Sequence, residues 1–232
     1  MRTAIVTGAT KGIGRAIVDA LTADGWRLGL VARSREDLLQ LVAETDCGHI
    51  AFVGSVTDSA FIDATVDQIV AQFGHLDAMV ANAGVGTFAP IELTTDAAFA
   101  EMMSTNVTGM FNCVRAAVRV MKPRGEGMIV PMLSIAAKKS FPMSSGYVAS
   151  KWAAYGMIQC VAKEVRKDGI RISSIFPGSV ATPFWDGMGG APWDTADMLQ
   201  PDDVALAVLQ VVNSPETCVI DELVVMPLKG VL

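Results

Sequence analysis

The sequence predicts an α/β fold, a doubly wound parallel sheet of about seven strands with helices on both faces, and three observations predict it. Short, almost purely apolar runs alternate to the end of the chain with segments whose apolar residues recur at helical spacing. The first run, Ala4, Ile5 and Val6, leads straight into a glycine-rich turn and then a helix pattern. The 232 residues, 51% hydrophobic and 18% charged, suffice for one large core and leave no room for a second substantial one, so a single domain over 1–232 is expected. Strands buried on both faces are those of a Rossmann-type sheet, whose ligands lie at the carboxyl ends of the strands.

Each element has its own warrant. After the first strand, residues 7–14 place Gly8, Gly12 and Gly14 in the spacing T-G-x-x-x-G-x-G, and apolar residues from Arg15 to Leu21 continue as a helix. Glycines let backbone approach a phosphate, and the open N–H groups of the helix start face it, so this turn reads as a dinucleotide site. Residues 27–31 form strand two, and 36–43 a helix carrying Leu38, Leu39, Leu41 and Val42. Strand three is 50–53. Asp58 caps a helix through Ile62, Val66 and Ile69 to Phe73, stopped by Gly74. Strand four is 78–80, a long helix covers 96–121, and strand five begins at 128–130. A helix over 147–167 ends at Gly169, strand six is 170–175, Pro201 opens a helix through Val211, and 223–225 is the last strand. Pro131 conflicts with a central strand five because it has no N–H to give the ladder; a bulge or an early end to pairing is expected there, close to Ser134.

Composition excludes several classes. A net charge of −6 disfavours a nucleic-acid or anionic-membrane surface. Cys47, Cys113, Cys160 and Cys218 are far apart and read as reduced, buried thiols, and no metal site is expected. His49 and His75 lie in no zinc or Ser-His-Asp pattern and read as structural or solvent-facing. With no signal-peptide core and no apolar run of spanning length, a soluble, cytoplasmic protein without a membrane partner is expected.

The chemistry concentrates in Ser134 and in Tyr147-Val148-Ala149-Ser150-Lys151. Tyr147 and Lys151, four apart, share one helix face. An ammonium beside a phenol favours the phenolate and lowers its pKa, and a hydroxyl such as Ser134 can orient the reacting oxygen.

With these residues in view, the chain resembles a short-chain dehydrogenase/reductase of single-domain length. The resemblance runs through Thr7-Gly8 with Gly12 and Gly14, Asn82-Ala83-Gly84, Asn106, Ser134, Tyr147 with Lys151, and Pro177-Gly178 with Thr182. It implies Tyr147 as general acid in reduction and general base in oxidation, and Lys151 as the group that lowers its pKa and holds the nicotinamide ribose. It implies Ser134 as hydrogen-bond partner of the substrate oxygen, and Asn106 as holder of a relay water. Cofactor contacts are expected from Gly8, Thr10, Lys11, Gly12, Ile13, Gly14, Arg33, Ser55, Val56, Asn82, Ala83, Gly84, Tyr147, Lys151, Pro177, Gly178, Val180 and Thr182. The hydride chemistry belongs to the cofactor; the protein positions it and moves the proton.

The cofactor is expected to be NADP(H). No carboxylate stands at Ala32, at the end of strand two, to take a ribose 2′-hydroxyl. Arg33 can hold a 2′-phosphate by forked hydrogen bonds, and Lys11 adds a second cation. Ser55 stands where the family often has Asp and is a weaker partner for the adenine amine, while Leu133 stands where the family often has Ser and Ala137 where Gly is frequent, which reshapes the substrate pocket.

A substrate loop is expected at about 179–200, with Phe184, Trp185 and Met188 facing substrate and Phe141 and Met143 on the other wall. Such a pocket suits a small ketone or aldehyde, or the matching alcohol, with a hydrophobic or aromatic part. Lys138 and Lys139 are read as solvated or as facing an acidic substrate group. Residues 221–228 resemble the close of NADP-dependent carbonyl and hydroxy-acid oxidoreductases and lack the glycine-rich close of acyl-carrier ketoacyl reductases. Two other readings compete: a catalytically idle NADP(H)-binding regulator, which has no need of Ser134, Tyr147, Lys151 and Asn106 together, and a sugar-nucleotide epimerase or dehydratase, which needs a larger C-terminal region. The resemblance also implies a homotetramer or homodimer paired through the two long helices, on whose outer faces Met110, Cys113, Val114, Trp152, Tyr155 and Cys160 are expected.

Overall fold

In the computed structural model, which describes residues 1–45, 47–188 and 194–230, strands and helices alternate as the apolar pattern requires. The strands are β1 (Thr3–Thr7), β2 (Arg27–Ala32), β3 (Ile50–Val53), β4 (Ala78–Ala81), β5 (Gly127–Pro131), β6 (Ile170–Ile172), β7 (Ser174–Pro177) and β8 (Glu222–Val225). The helices are α1 (Gly12–Ala23), α2 (Arg35–Thr45), α3 (Ser59–Phe73), α4 (Asp96–Met103), α5 (Met110–Met121), α6 (Ser145–Val165) and α7 (Pro201–Val212). Six strands form a parallel sheet in the order β3-β2-β1-β4-β5-β6. One face packs on α1, α2 and α7 through Ile17, Leu21, Leu38, Leu41, Val204 and Val208; the other packs on α3, α5 and α6 through Ile62, Val66, Ile69, Val114 and Ile158. The order in which successive strands join the sheet reverses between β1 and β4, so the crevice of this doubly wound sheet opens beyond their carboxyl ends.

The expected strand six is two strands, and Pro131 gives the reason. β6 pairs with β5 as far as Ile129 and Ile172, and the Ser173 N–H donates to Ile129 O at 2.9 Å. Contact with β5 resumes where the Leu133 N–H donates to Ile175 O at 2.9 Å. Donors alternate sides along a parallel strand, so the bond missing between these two is the one Pro131 cannot make. β7 then pairs with β8 as a separate two-stranded sheet, which leaves six strands in the main sheet instead of about seven. On its β4 side Pro131 stays in register with Ala81, so pairing is interrupted on one side only.

The long helix expected over 96–121 is interrupted as well. Residues Ser104–Gly109 form a π-helical turn between α4 and α5. Gly109 lets this turn close on α3's approach: a Cβ there would lie 2.5 Å from Val56 Cγ2. Met110, Cys113 and Val114 face the sheet and are buried, not on an outer face as expected, and burial pushes the Cys113 thiol up to about 12. Cys47, Cys160 and Cys218 are exposed, against the expectation of buried thiols. Phe111 and Trp152 are the large apolar side chains that α5 and α6 present outward, 43% and 51% exposed. His49 is structural: its Nδ1 accepts the Leu28 N–H at 3.2 Å and its Nε2 lies 2.8 Å from the Thr22 hydroxyl. Among the described residues no helix is long and apolar enough to cross a membrane, and no cluster of His, Cys, Asp and Glu could hold a metal.

Candidate active site

The glycine turn after β1 is shaped by contacts that tolerate no side chain. Gly8 and Gly12 have φ of 66° and 53°, and a Cβ on Gly14 would lie 2.0 Å from Gly8 O. Asn82 clamps the turn from β4. Its amide donates to Thr7 O at 3.0 Å and Gly8 O at 3.3 Å, while the Thr7 hydroxyl accepts the N–H groups of Asn82 and Ala83 at 3.0 and 3.1 Å. Lys11, at the N-cap of α1, makes no side-chain cap and the first turn holds no acid, so the helix start is open to an anion. The fit to a dinucleotide phosphate is therefore good.

A cavity of about 1200 Å³ runs from this turn across the carboxyl ends of the strands, larger than one small ligand needs. Gly8, Thr10, Lys11, Gly12, Ile13, Gly14, Arg33, Ser55, Val56, Asn82, Ala83 and Gly84 line it, with Pro177, Gly178, Val180 and Thr182 along one wall. Ser134, Tyr147, Phe141, Met143, Phe184 and Trp185 line its far end. The Met188 side chain lies outside the described residues. Arg33 is exposed and makes no ion pair among the described residues, whereas Lys11 Nζ lies 3.4 Å from Asp37. The Ser55 hydroxyl is engaged locally, 2.8 Å from that of Thr57.

Lys151 and Asn106 stand behind the lining. Asn106 is wholly buried on the π-turn. Its Oδ1 accepts the Val85 N–H at 2.9 Å, and its Nδ2 donates to Val85 O at 2.8 Å and to the Ser150 hydroxyl at 2.9 Å. Lys151 donates to Met132 O at 3.2 Å, and with no carboxylate beside it burial pulls its pKa down to about 8. Its Nζ sits 5.8 Å from the centre of the Tyr147 ring. Burial raises the Tyr147 pKa and the Ser134 hydroxyl opposes the rise, so the lowering expected from Lys151 is not what governs the phenol here. Lys138 is neither solvated nor turned to the cavity: it pairs with Glu222 at 2.6 Å and lies 4.2 Å over the Phe176 ring.

A phenol with a hydroxyl and a buried amine nearby, at one end of a cavity whose other end is a glycine turn open to an anion, can move a proton at a carbonyl oxygen. The family described as short chain dehydrogenase matches residues 2–190. The chain belongs to the short-chain dehydrogenase family. A sepiapterin reductase of Chlorobaculum tepidum is 32% identical over 236 residues, 97% of this chain and 96% of that one. An alcohol dehydrogenase structure from Thermococcus sibiricus, complexed with 5-hydroxy-NADP, superposes with a TM-score of 0.86 at 29% identity over 97% of this chain and 96% of that one. A metagenomic short-chain oxidoreductase in complex with NADP gives 0.83 at 30% identity, covering 97% of each chain. Like them, this short-chain dehydrogenase is an oxidoreductase by family.

One cavity residue of this short-chain dehydrogenase, Phe88, and one buried behind the wall, Ser150, escape sequence reasoning. Phe88 lies in the loop after β4, its ring 5.4 Å from that of Tyr147, and Gly86 packs beneath. That loop has no periodicity; an aromatic shortly before Pro90 is its only signal. Ser150, inside the Tyr-x-x-x-Lys spacing, donates to Tyr147 O at 2.7 Å and so joins α6 to Asn106.

Proposed function

We propose that this short-chain dehydrogenase transfers a hydride between NADP(H) and a small carbonyl or alcohol substrate, with Tyr147 as the general acid and base. The observation that carries the reading is Tyr147 itself: it lines, with Ser134, the cavity that continues to the glycine turn and stands beside buried Lys151. Bound NADPH supplies the hydride. The uncapped start of α1 and the Gly8–Gly14 turn hold its phosphates, and Pro177, Gly178, Val180 and Thr182 flank the nicotinamide. Arg33, with no acid at Ala32, takes the 2′-phosphate, and the NADP complexes of similar structures support that choice.

During reduction Ser134 hydrogen-bonds the substrate oxygen and Tyr147 gives it a proton; the ammonium of Lys151, behind the lining, offsets the charge left on the phenol, and its reach to the ribose requires a rotation away from Met132 O. Asn106 fixes the Val85 backbone beneath the site and leaves its own turn able to hold a water. The reading extends to one domain over 1–232 in the cytoplasm, with a substrate loop near 179–200.

A panel of ketones, aldehydes and alcohols, followed by nicotinamide absorbance with NADPH or NADP, tests it. The Tyr147→Phe variant keeps the ring's packing and loses only the hydroxyl, so turnover should fall by about 10²–10⁴-fold with NADPH affinity nearly unchanged. NADPH binding with no turnover of any carbonyl or alcohol would favour the idle regulator instead.

A further inference from the structure

The far end of the cavity is an aromatic box. Phe88 and Trp185 stack at 5.8 Å, and Tyr147 closes a third side 5.4 Å from Phe88. The ring of Phe184 packs against all three, edge-on to Phe88 at 6.3 Å and to Trp185 at 5.4 Å, and 5.8 Å from Tyr147. The floor is Gly86, where a Cβ would come within 2.5 Å of Phe184 Cζ and 3.1 Å of Tyr147 Cδ2. Without the Phe184 ring, Phe88, Trp185, Tyr147 and Gly86 would border a slot the size of a six-membered ring beside the Tyr147 phenol.

Two further observations bear on its use. Phe88 is fixed: the next residue, Ala89, donates its N–H to Met143 O at 2.7 Å, and Met143 holds a φ of 62°, a conformation few side chains accept without support from their surroundings. Among the described residues the lining of the box carries no charge; the Lys151 ammonium stands behind the Tyr147 ring, 5.8 Å from its centre. Among the described lining residues the charged ones are Lys11, Arg33 and Asp37, all at the glycine-turn end. The indole N–H of Trp185 is used on Val180 O at 2.9 Å.

We propose that the substrate is a neutral aryl ketone whose ring takes the place of the Phe184 ring, with Phe88 as the residue that selects it. The proposal rests on the reading of this site as an NADPH-dependent carbonyl reductase. The hydride from NADPH adds to the carbonyl carbon, the oxygen takes the Tyr147 proton, and the product is the secondary aryl alcohol. An aromatic pair adds about 2- to 12-fold in affinity beyond the area it buries, and a carboxylate carried into a box with an uncharged lining is strongly disfavoured.

The test compares acetophenone, cyclohexyl methyl ketone and 4-acetylbenzoate as substrates. It also compares benzamide with cyclohexanecarboxamide as unreactive ligands, by calorimetry on the protein with NADPH. The kcat/KM for acetophenone should exceed that for the saturated ketone several-fold and that for 4-acetylbenzoate at least about 10-fold. Benzamide should bind more tightly than its saturated counterpart. Phe88→Leu should bring both aromatic preferences down to about 2-fold or less, and Phe184→Ala, which opens the slot, should tighten benzamide binding. Preference for the saturated or the carboxylated ketone, or weaker benzamide binding by Phe184→Ala, would overturn the proposal and leave the reductase reading standing. Absence of turnover with every ketone would overturn the reductase reading and this proposal with it. The wild-type ratios and the Phe184→Ala result decide the matter even where Phe88→Leu does not fold.

Discussion

Tyr147 and Lys151 are one helical turn apart, and burial moves their ionisations in opposite directions: the phenol up, the ammonium down to about 8. Each shift favours the neutral form of its group. At neutral pH the phenol is protonated, the form that a reduction consumes, and Lys151 keeps most of its charge. Carbonyl reduction should therefore hold steady through neutrality and fall with a single ionisation near 8 as Lys151 loses its proton. Lys151→Arg should move that descent upward, because a guanidinium stays charged; a profile with the same descent in both proteins would show that another group sets it. Arg33 is a second single-residue case. With no acid at Ala32 and no ion pair among the described residues, its expected task is the 2′-phosphate. Arg33→Ala should weaken NADPH by about 10-fold or more, the worth of a charge-assisted bond, and leave NADH nearly unchanged. Equal losses for the two cofactors, measured by fluorescence titration, would remove Arg33 from that role.

At the scale of elements, small devices set the geometry that those residues use. The π-turn Ser104–Gly109 puts Asn106 inward, where one side chain holds both backbone groups of Val85 and reaches Ser150 on α6. His49 performs a similar service between β2 and α1. Its Nδ1 must be unprotonated to accept the Leu28 N–H, and burial first, then Arg27, lowers its pKa. With the folded pKa below the ordinary value near 6.5, the unfolded chain takes up the proton first. The stability this histidine contributes is therefore complete above about pH 6.5 and declines as pH falls below it. Losing the Leu28 bond leaves a buried donor unpaired, a cost of about 1–3 kcal/mol. His49→Gln should be less stable than the wild type at pH 7 and should show a smaller loss of melting temperature between pH 7 and 5. A parallel decline in both proteins would mean that carboxylates, not His49, govern acid stability.

Across the whole molecule, the two faces of the sheet are filled, and part of the apolar surface left over lies on α5 and α6, with the rest scattered over other elements. Phe111 and Trp152 project from α5 and α6 with about half of their surface in water. The burial of Met110, Cys113 and Val114 removes half of the residues expected there. A homodimer or homotetramer through α5 and α6 remains the expected assembly, with a smaller apolar seam centred on Phe111 and Trp152. Sedimentation at micromolar concentration should give a dimer or larger, and Trp152→Glu should shift it toward monomer. A monomer in the wild type would refute the assembly.

The sequence by itself determined what depends on neighbours along the chain. A turn with glycines at 8, 12 and 14 can be little else between a strand and a helix, and residues four apart on a helix share a face wherever the helix goes, so the phosphate cradle and the Tyr147–Lys151 pair were legible before any packing was known. Pro131 announced an interrupted ladder because the missing N–H is a property of the residue. The side of α5 that meets the sheet was legible as well: Met110, Cys113, Val114, Ala117 and Met121 recur at helical spacing opposite Arg115 and Arg119, and the outer-face expectation followed the helix pairing that the resemblance implies instead of this period. Tertiary structure alone decided that strand six is divided at Ser173, because the consequence of Pro131 falls on a partner 42 residues away. It decided that Lys138 belongs to Glu222, and that Phe88 stands over Tyr147. Loops have no period to read, and the contacts of a loop residue are fixed by strands and turns remote in the chain: here a hydrogen bond from Ala89 to Met143, made only once β4 and the start of α6 lie side by side.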